Sequence, residues 1–282
     1  MTKKSATITF ARGARRVTGA NFLVEANDGA TVTRMLVDCG LAQGERFCES
    51  VNSDPFSYDP TQINHVLFTH AHADHIGLFP KLVKEGFSGS AYATAATRDL
   101  LPIMLEDTVY LMAAEAKRCN DVPPYQAKDV ESAVRLLRSA NYGQQIELAP
   151  NISATFYNAG HILGSATILL DIFGTRVLFT GDLGRKPAIM VPDREVPKDV
   201  DVLITESVYG NRLHGSLEES LNVLLNAVRH AEKTKGVLLI PSFSLERTQI
   251  ILSLLDRAIS ENRCPAVPIF MDSPLAAKGT DV

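Results

Sequence analysis

Along the first forty residues short apolar stretches are separated by polar and glycine-bearing ones, and residues 6–10, 20–26 and 32–38 read as strands, with a turn at Asn27-Asp28-Gly29. A further apolar run, Asn64-His65-Val66-Leu67-Phe68-Thr69, reads as a buried strand, and Ile76-Gly77-Leu78-Phe79-Pro80-Lys81-Leu82-Val83 as the first turns of a helix. A strand at Ala91-Tyr92-Ala93-Thr94 leads into two helices over about 95–118 and 126–140, with Pro123-Pro124 as a helix connection. Strands follow near 152–158, 165–172 and 175–180, and another over 201–205 ends at Glu206. From about residue 209 the texture changes: helix 216–233, strand 236–240, helix 245–259 and strand 267–271 alternate as in a parallel α/β unit. The chain ends in mid-alternation, which reads as a fragment of a longer sequence.

The chemistry is concentrated at strand ends. His70-Ala71-His72-Ala73-Asp74-His75 puts four potential metal ligands between a strand and a helix. Side chains two apart in an extended segment share a face, so His70 and His72 can grip one ion. Asp74 and His75 fall where the backbone turns into the helix and point towards a second ion. Imidazole nitrogens with a carboxylate suit zinc, with manganese or iron as substitutes. Two other strand ends offer the remaining ligands. His161, in Ala159-Gly160-His161-Ile162-Leu163-Gly164-Ser165, completes three histidines on the first ion. Asp182, in Phe179-Thr180-Gly181-Asp182-Leu183-Gly184-Arg185, is a carboxylate for bridging both. A bridged pair of ions lowers the pKa of a shared water towards neutrality.

Composition removes several alternatives. The 282 residues carry average apolar and charged fractions, with no apolar stretch long enough for a membrane span. Met1-Thr2-Lys3-Lys4-Ser5 is basic but precedes no apolar run, so it is not a secretory signal. Cys39, Cys48, Cys119 and Cys264 lack C-x-x-C spacing and read as thiols of a reducing compartment, the cytoplasm. The net charge of −4 argues against a nucleic-acid coat protein but not against a nucleic-acid enzyme. A groove needs only local cations, for which Arg12, Arg15, Arg16, Arg185, Lys186, Arg212 and Arg247 are candidates.

Asp38 in Leu36-Val37-Asp38-Cys39-Gly40, the cluster at 70–75, His161 and Asp182 resemble, in order, the first four motifs of the metallo-β-lactamase superfamily. The segment from Thr205-Glu206-Ser207 to His214 resembles the acidic motif that opens the β-CASP insertion of RNA-processing nucleases. Ile240-Pro241-Ser242-Phe243-Ser244-Leu245-Glu246-Arg247-Thr248-Gln249 and Met271-Asp272-Ser273-Pro274-Leu275 are similar to later segments of that insertion, and Arg15-Arg16-Val17-Thr18-Gly19 fits its bacterial branch.

The resemblance implies a four-layer αββα metallo-β-lactamase fold over 1–208 and the beginning of an inserted α/β β-CASP domain over 209–282. It implies a zinc-dependent ribonuclease, endo- or exonucleolytic, in which a hydroxide bridging two ions attacks phosphorus. His70, His72 and His161 would bind the first zinc, and Asp74 and His75 the second, with Asp182 between them. Asp38 would orient ligands from behind. Glu206 would join Asp74 and Asp182 among the catalytic carboxylates, acting on a ligating histidine or the water. Ser244, read as the N-cap of a helix, and Arg247 on its first turn would bind a phosphate of the RNA. His214 is a candidate acid, while His65 and His230 read as structural or exposed.

The family places two further histidine motifs after the insertion, and no residue after His230 is a histidine. The second ion is therefore expected to lack a protein ligand, to bind more weakly, and to leave the chain with little nuclease activity. The rival readings are a small-substrate thioesterase- or lactamase-like hydrolase and a catalytically silent RNA-binding protein. A homo-oligomer is compatible with each reading.

Overall fold

Two β-sheets packed face to face form the frame that carries the ligand-bearing loops. The structure is a computed structural model and describes residues 4–44, 51–213 and 215–282. The chain separates into two compact units, Met1–Glu206 and Ser207–Val282.

The first sheet of the N-terminal unit runs in the order β1 (Ser5–Arg12), β2 (Asn21–Asn27), β3 (Val32–Val37), β4 (His65–Leu67), β5 (Ser90–Thr94) and β6 (Leu137–Ala140). Its first three strands are antiparallel, while β3, β4, β5 and β6 pair in parallel and need crossovers. Those crossovers hold helices α1 (Ala73–Ile76), α2 (Phe79–Lys84), α3 (Ala95–Cys119) and α4 (Ala127–Val134). The second sheet runs β11 (Val202–Ile204), β10 (Thr175–Phe179), β9 (Ala166–Ile172), β8 (Ile152–Asn158) and β7 (Gln145–Ala149).

Period-two alternation decides which residue enters which core. Val66 and Phe68 pack with Ile76, Phe79, Leu82 and Leu101 beneath the helices. Leu67, between them, faces Phe156, Ile168 and Phe179 of the second sheet. His65 lies on the same side as Leu67, and its Nε2–H donates to the Leu148 carbonyl of β7 at 3.0 Å. The helix layer and two sheets are the α/β architecture expected.

Three expectations are corrected. The helix expected over 126–140 stops at Val134, and Leu137–Ala140 instead pairs with β5. The apolar Leu136-Leu137 fits either period, and a free parallel edge outweighs the helix. Strand β7 was not anticipated, because Gln145–Ala149 alternates weakly. Cys119 is disulfide-bonded, whereas Cys39 and Cys264 are free and buried. Spacing along the chain does not report such a bond, which depends on Cα separation in space.

In the second unit, α5 (Leu217–Thr234) and α6 (Arg247–Ser260) pack around Leu221, Leu225, Val228, Leu255 and Ala258, and α7 (Pro274–Thr280) lies against α6. A capping box between Ser216 and Glu219 starts α5. The strands expected at 236–240 and 267–271 are absent among the described residues, and Val237, Leu239 and Phe270 are 94%, 83% and 89% exposed. An apolar alternation becomes a strand only when its N–H and C=O groups find a ladder.

Candidate metal centre

The chain leaves β4, passes Phe68 and Thr69, and presents His70 and His72 on one side. His70 Nε2 lies 3.0 Å from His72 Nδ1, and His161 Nε2 lies 3.3 Å from that same His72 atom. Asp182 Oδ2 approaches His161 Nε2 at 3.5 Å and His70 Nε2 at 3.8 Å. All four donor atoms fall within 4.8 Å of one another. Ligands at zinc–nitrogen distances on a tetrahedron are about 3.3 Å apart, so this spacing matches a single first-row ion.

The other oxygen of the same carboxylate faces a different group. Asp182 Oδ1 is 3.4 Å from His75 Nε2, and Asp74 Oδ2 is 3.8 Å from that nitrogen. Asp182 thus lies between the side chains of His70, His72 and His161 on one side and those of Asp74 and His75 on the other. The first group offers four donors and the second three.

Behind these side chains, hydrogen bonds orient the imidazoles. His75 Nδ1 donates to Asp38 Oδ2 at 2.7 Å, which turns Nε2 towards Asp74 and Asp182, where the neutral ring would present its lone pair. Thr69 Oγ1 donates to the same oxygen at 2.8 Å and accepts from His70 Nδ1 at 3.1 Å, so Nε2 of His70 also keeps its lone pair. The Thr69 amide donates to Asp38 Oδ1 at 2.8 Å. Asp38 itself adopts a left-handed φ of 59°, which turns its carboxylate beneath the cluster.

Electrostatics agree with this division. Burial, with His161 and His75 nearby, pushes His72 down to about 3, and burial with His75 alongside holds His70 well below the usual histidine range. Both stay neutral, as ligation requires. Burial alone would also lower His75, but Asp38, Asp182 and Asp74 surround it and hold it well above the usual range. Three carboxylates converging on one imidazole create a demand for positive charge. Burial raises the Asp74 carboxyl, whereas at Asp182 the effect of burial is outweighed by His75 and the value falls.

Glycines let the loops meet. A Cβ on Gly40 would stand 1.6 Å from the Asp74 carbonyl oxygen, and one on Gly184 would stand 1.5 Å from the Gly160 carbonyl oxygen. The His161 loop is further clamped by Thr94 Oγ1 and Thr97 Oγ1, which donate to the Gly164 carbonyl at 2.6 and 2.9 Å. Thr69, Gly40, Gly184, Thr94 and Thr97 were not singled out by sequence, because contacts between segments so far apart leave no local spacing. Glu206 accepts the Leu183 amide through Oε1 at 2.8 Å, one residue beyond Asp182.

Ser244 and Arg247 belong to the second unit. The cap of α6 is Glu246, at φ 62°, with Arg247 as the first helical residue, which corrects the reading of Ser244 as the N-cap. The Ser244 hydroxyl instead lies 3.3 Å from that of Ser273, the side-chain cap of α7. His230 is exposed on α5, and His214 lies outside the described residues.

Two face-to-face sheets carry the histidine- and aspartate-bearing loops at their strand ends, and the four-residue cluster could hold a metal ion. The family model of the metallo-β-lactamase superfamily matches residues 15–242, and the chain belongs to that superfamily. Among its relatives are ribonuclease TTHA0252 of Thermus thermophilus, 38% identical over 94% of this chain and 58% of its own, and transcription termination factor FttA of Methanosarcina mazei, 32% identical over 94% and 41%. Cleavage and polyadenylation specificity factor 73 of Drosophila melanogaster is 30% identical over 87% of this chain and 35% of its own. The chain spans little more than half the length of the first relative and less of the others.

Proposed function

We propose that the chain is a metal-dependent ribonuclease with a dinuclear zinc centre. One observation carries the reading: the two oxygens of Asp182 face two separate donor groups, 3.5 Å from His161 Nε2 on one side and 3.4 Å from His75 Nε2 on the other. His70, His72, His161 and Asp182 Oδ2 would hold one ion, and Asp74, His75 and Asp182 Oδ1 the other. Bound zinc would supply Lewis-acid charge to a phosphoryl oxygen and lower the pKa of water towards neutrality.

The protein's own part is orientation and charge. Asp38 and Thr69 orient the rings of His75 and His70 so that their Nε2 atoms point inward, where a bound cation would take the place of the proton on His75. Asp74 Oδ2 lies 3.8 Å from His75 Nε2, where its carboxylate would accept a proton from water. In this reading residues 1–208 form the metallo-β-lactamase domain and 209–282 the start of the β-CASP domain. Ser244 and Arg247 are assigned to an RNA phosphate. The names of the relatives favour RNA over thioester or lactam substrates.

Among the described residues no helix is long and apolar enough to cross a membrane. The reading places the protein in the cytoplasm, where disulfides are rare, and assaying the redox state of Cys119 in cell fractions tests that assignment.

Incubating 5′-labelled RNA with the wild-type chain, the chelated chain and Asp74→Ala tests the activity. Slow cleavage by the metal-loaded wild type alone is expected, with internal fragments or mononucleotides distinguishing endo- from exonucleolytic attack. Thioester turnover without RNA cleavage would assign the chain to the small-substrate hydrolases. RNA binding without either reaction would leave it a silent binding protein.

A further inference from the structure

Asp182 has the least packed side chain of the ligand set, 32% exposed against 1% for His70 and 6% for His75. The direction of its carboxylate therefore depends on the backbone of its loop as well as on its contacts with His70, His161 and His75. That backbone is held on either side. On the near side, Thr180 Oγ1 donates to the Gly181 carbonyl at 2.7 Å and accepts the Glu206 amide at 3.3 Å. On the far side, the Leu183 amide donates to Glu206 Oε1 at 2.8 Å. One residue further, the Gly184 amide donates to the Ala159 carbonyl at 3.0 Å, and Arg194 Nη1 to the Gly184 carbonyl at 2.6 Å.

We propose that Glu206 is a positioning residue: standing at the end of β11, it grips the loop after β10 through Leu183 and aims the two oxygens of Asp182 at their separate donor groups. The inference rests on the dinuclear reading above. It gives the carboxylate of Glu206 a main-chain partner and assigns it no proton transfer. What matters is then the acceptor oxygen, which glutamine keeps and alanine removes. Because Asp182 supplies one donor of three in the second group but one of four in the first, a misplaced Asp182 should weaken the second ion more.

The test is zinc titration of the metal-free 282-residue chain against a chromogenic chelator, with metal-free melting recorded alongside. Glu206→Ala is expected to weaken the second equivalent by roughly 10- to 100-fold, the range seen when a ligand's outer partner is lost, and Glu206→Gln by less than about threefold. Thr180→Val, which keeps shape and removes the hydroxyl, should weaken the second equivalent in the same direction, and it decides the matter if Glu206→Ala does not fold. Equal losses in the alanine and glutamine variants, or wild-type affinity in Glu206→Ala or Thr180→Val, would overturn the positioning role. A wild-type chain that takes up only one ion would overturn the dinuclear reading itself, an outcome visible before any variant is made.

Discussion

Gly184→Ala is the sharpest perturbation of the centre that leaves every ligand in place. The added Cβ would stand 1.5 Å from the Gly160 carbonyl oxygen, 2.1 Å from its carbon and 2.8 Å from the His161 amide nitrogen. Ordinary contact begins near 3.4 Å, so the two strand-end loops must separate by the difference between 3.4 Å and 1.5 Å, about 1.9 Å. One loop carries His161 and the other Asp182, whose donor atoms are now 3.5 Å apart. Metal sites tolerate departures of only about 0.2 Å in ligand distance, so a shift of this size should break the four-donor group. The expected cost is about 1–3 kcal/mol of stability from overpacking, and ion affinity should fall by at least the ~100-fold upper range seen for losses beyond the ligands themselves. Zinc titration and thermal melting of the variant measure both. Gly174→Ala is the control: at φ 89° with nothing within 4 Å, it should cost about 1 kcal/mol of backbone strain and leave both ions bound as before. Wild-type ion affinity in Gly184→Ala, or equal damage in the control, would refute the reasoning.

Further outcomes follow from the same geometry. Asp38→Asn cannot accept all the bonds now made by Thr69 and His75, yet asparagine tolerates the left-handed φ of 59°, so the fold should survive. The second ion should weaken roughly 10- to 100-fold by titration while the first is nearly unchanged. Asp74→Ala should remove the second equivalent alone, whereas His72→Ala should remove the first, as read from the visible spectrum of the cobalt-substituted chain. At His65, burial outweighs the Leu148 hydrogen bond and holds the imidazole below its usual pKa of 6.5. The native chain then binds fewer protons than the unfolded one just below that value. Its contribution to stability is complete above pH ~6.5 and declines on acidification, so unfolding midpoints should fall from about pH 7.5 to 5.5 by less in His65→Gln than in wild type.

The candidate ligands stood out because His70, His161 and Asp182 each follow an apolar run, where a strand stops and a loop begins. His70, His161 and Asp182 could be placed by that rule without knowing which strands were neighbours. Asp38 was placed by the resemblance, but the groups it bonds and the glycine contacts were harder to see. Asp38 bonds Thr69 and His75 across 31 and 37 residues of chain, and the Gly184–Gly160 approach joins two loops whose spacing encodes nothing. Fold errors arose where local periodicity was ambiguous or unanswered. Leu136-Leu137 suits a helix and a strand alike, and the free edge of β5 decided between them. In the second unit the alternation at 236–240 and 267–271 is real in sequence, but a strand is a property of two segments. Ser244 looked like a helix cap because serine favours that position, yet the chain delays α6 until Arg247.

The central claim is that one carboxylate, Asp182, joins two ion sites of unequal strength in a nuclease. Stepwise zinc titration of the metal-free chain, with 5′-labelled RNA cleavage followed at each step, tests it most directly. The account predicts two equivalents, the second at least about tenfold weaker because three donors hold it rather than four, with slow cleavage arising only as the second is filled. Two equally tight ions with strong cleavage, or cleavage that persists in chelator, would contradict it.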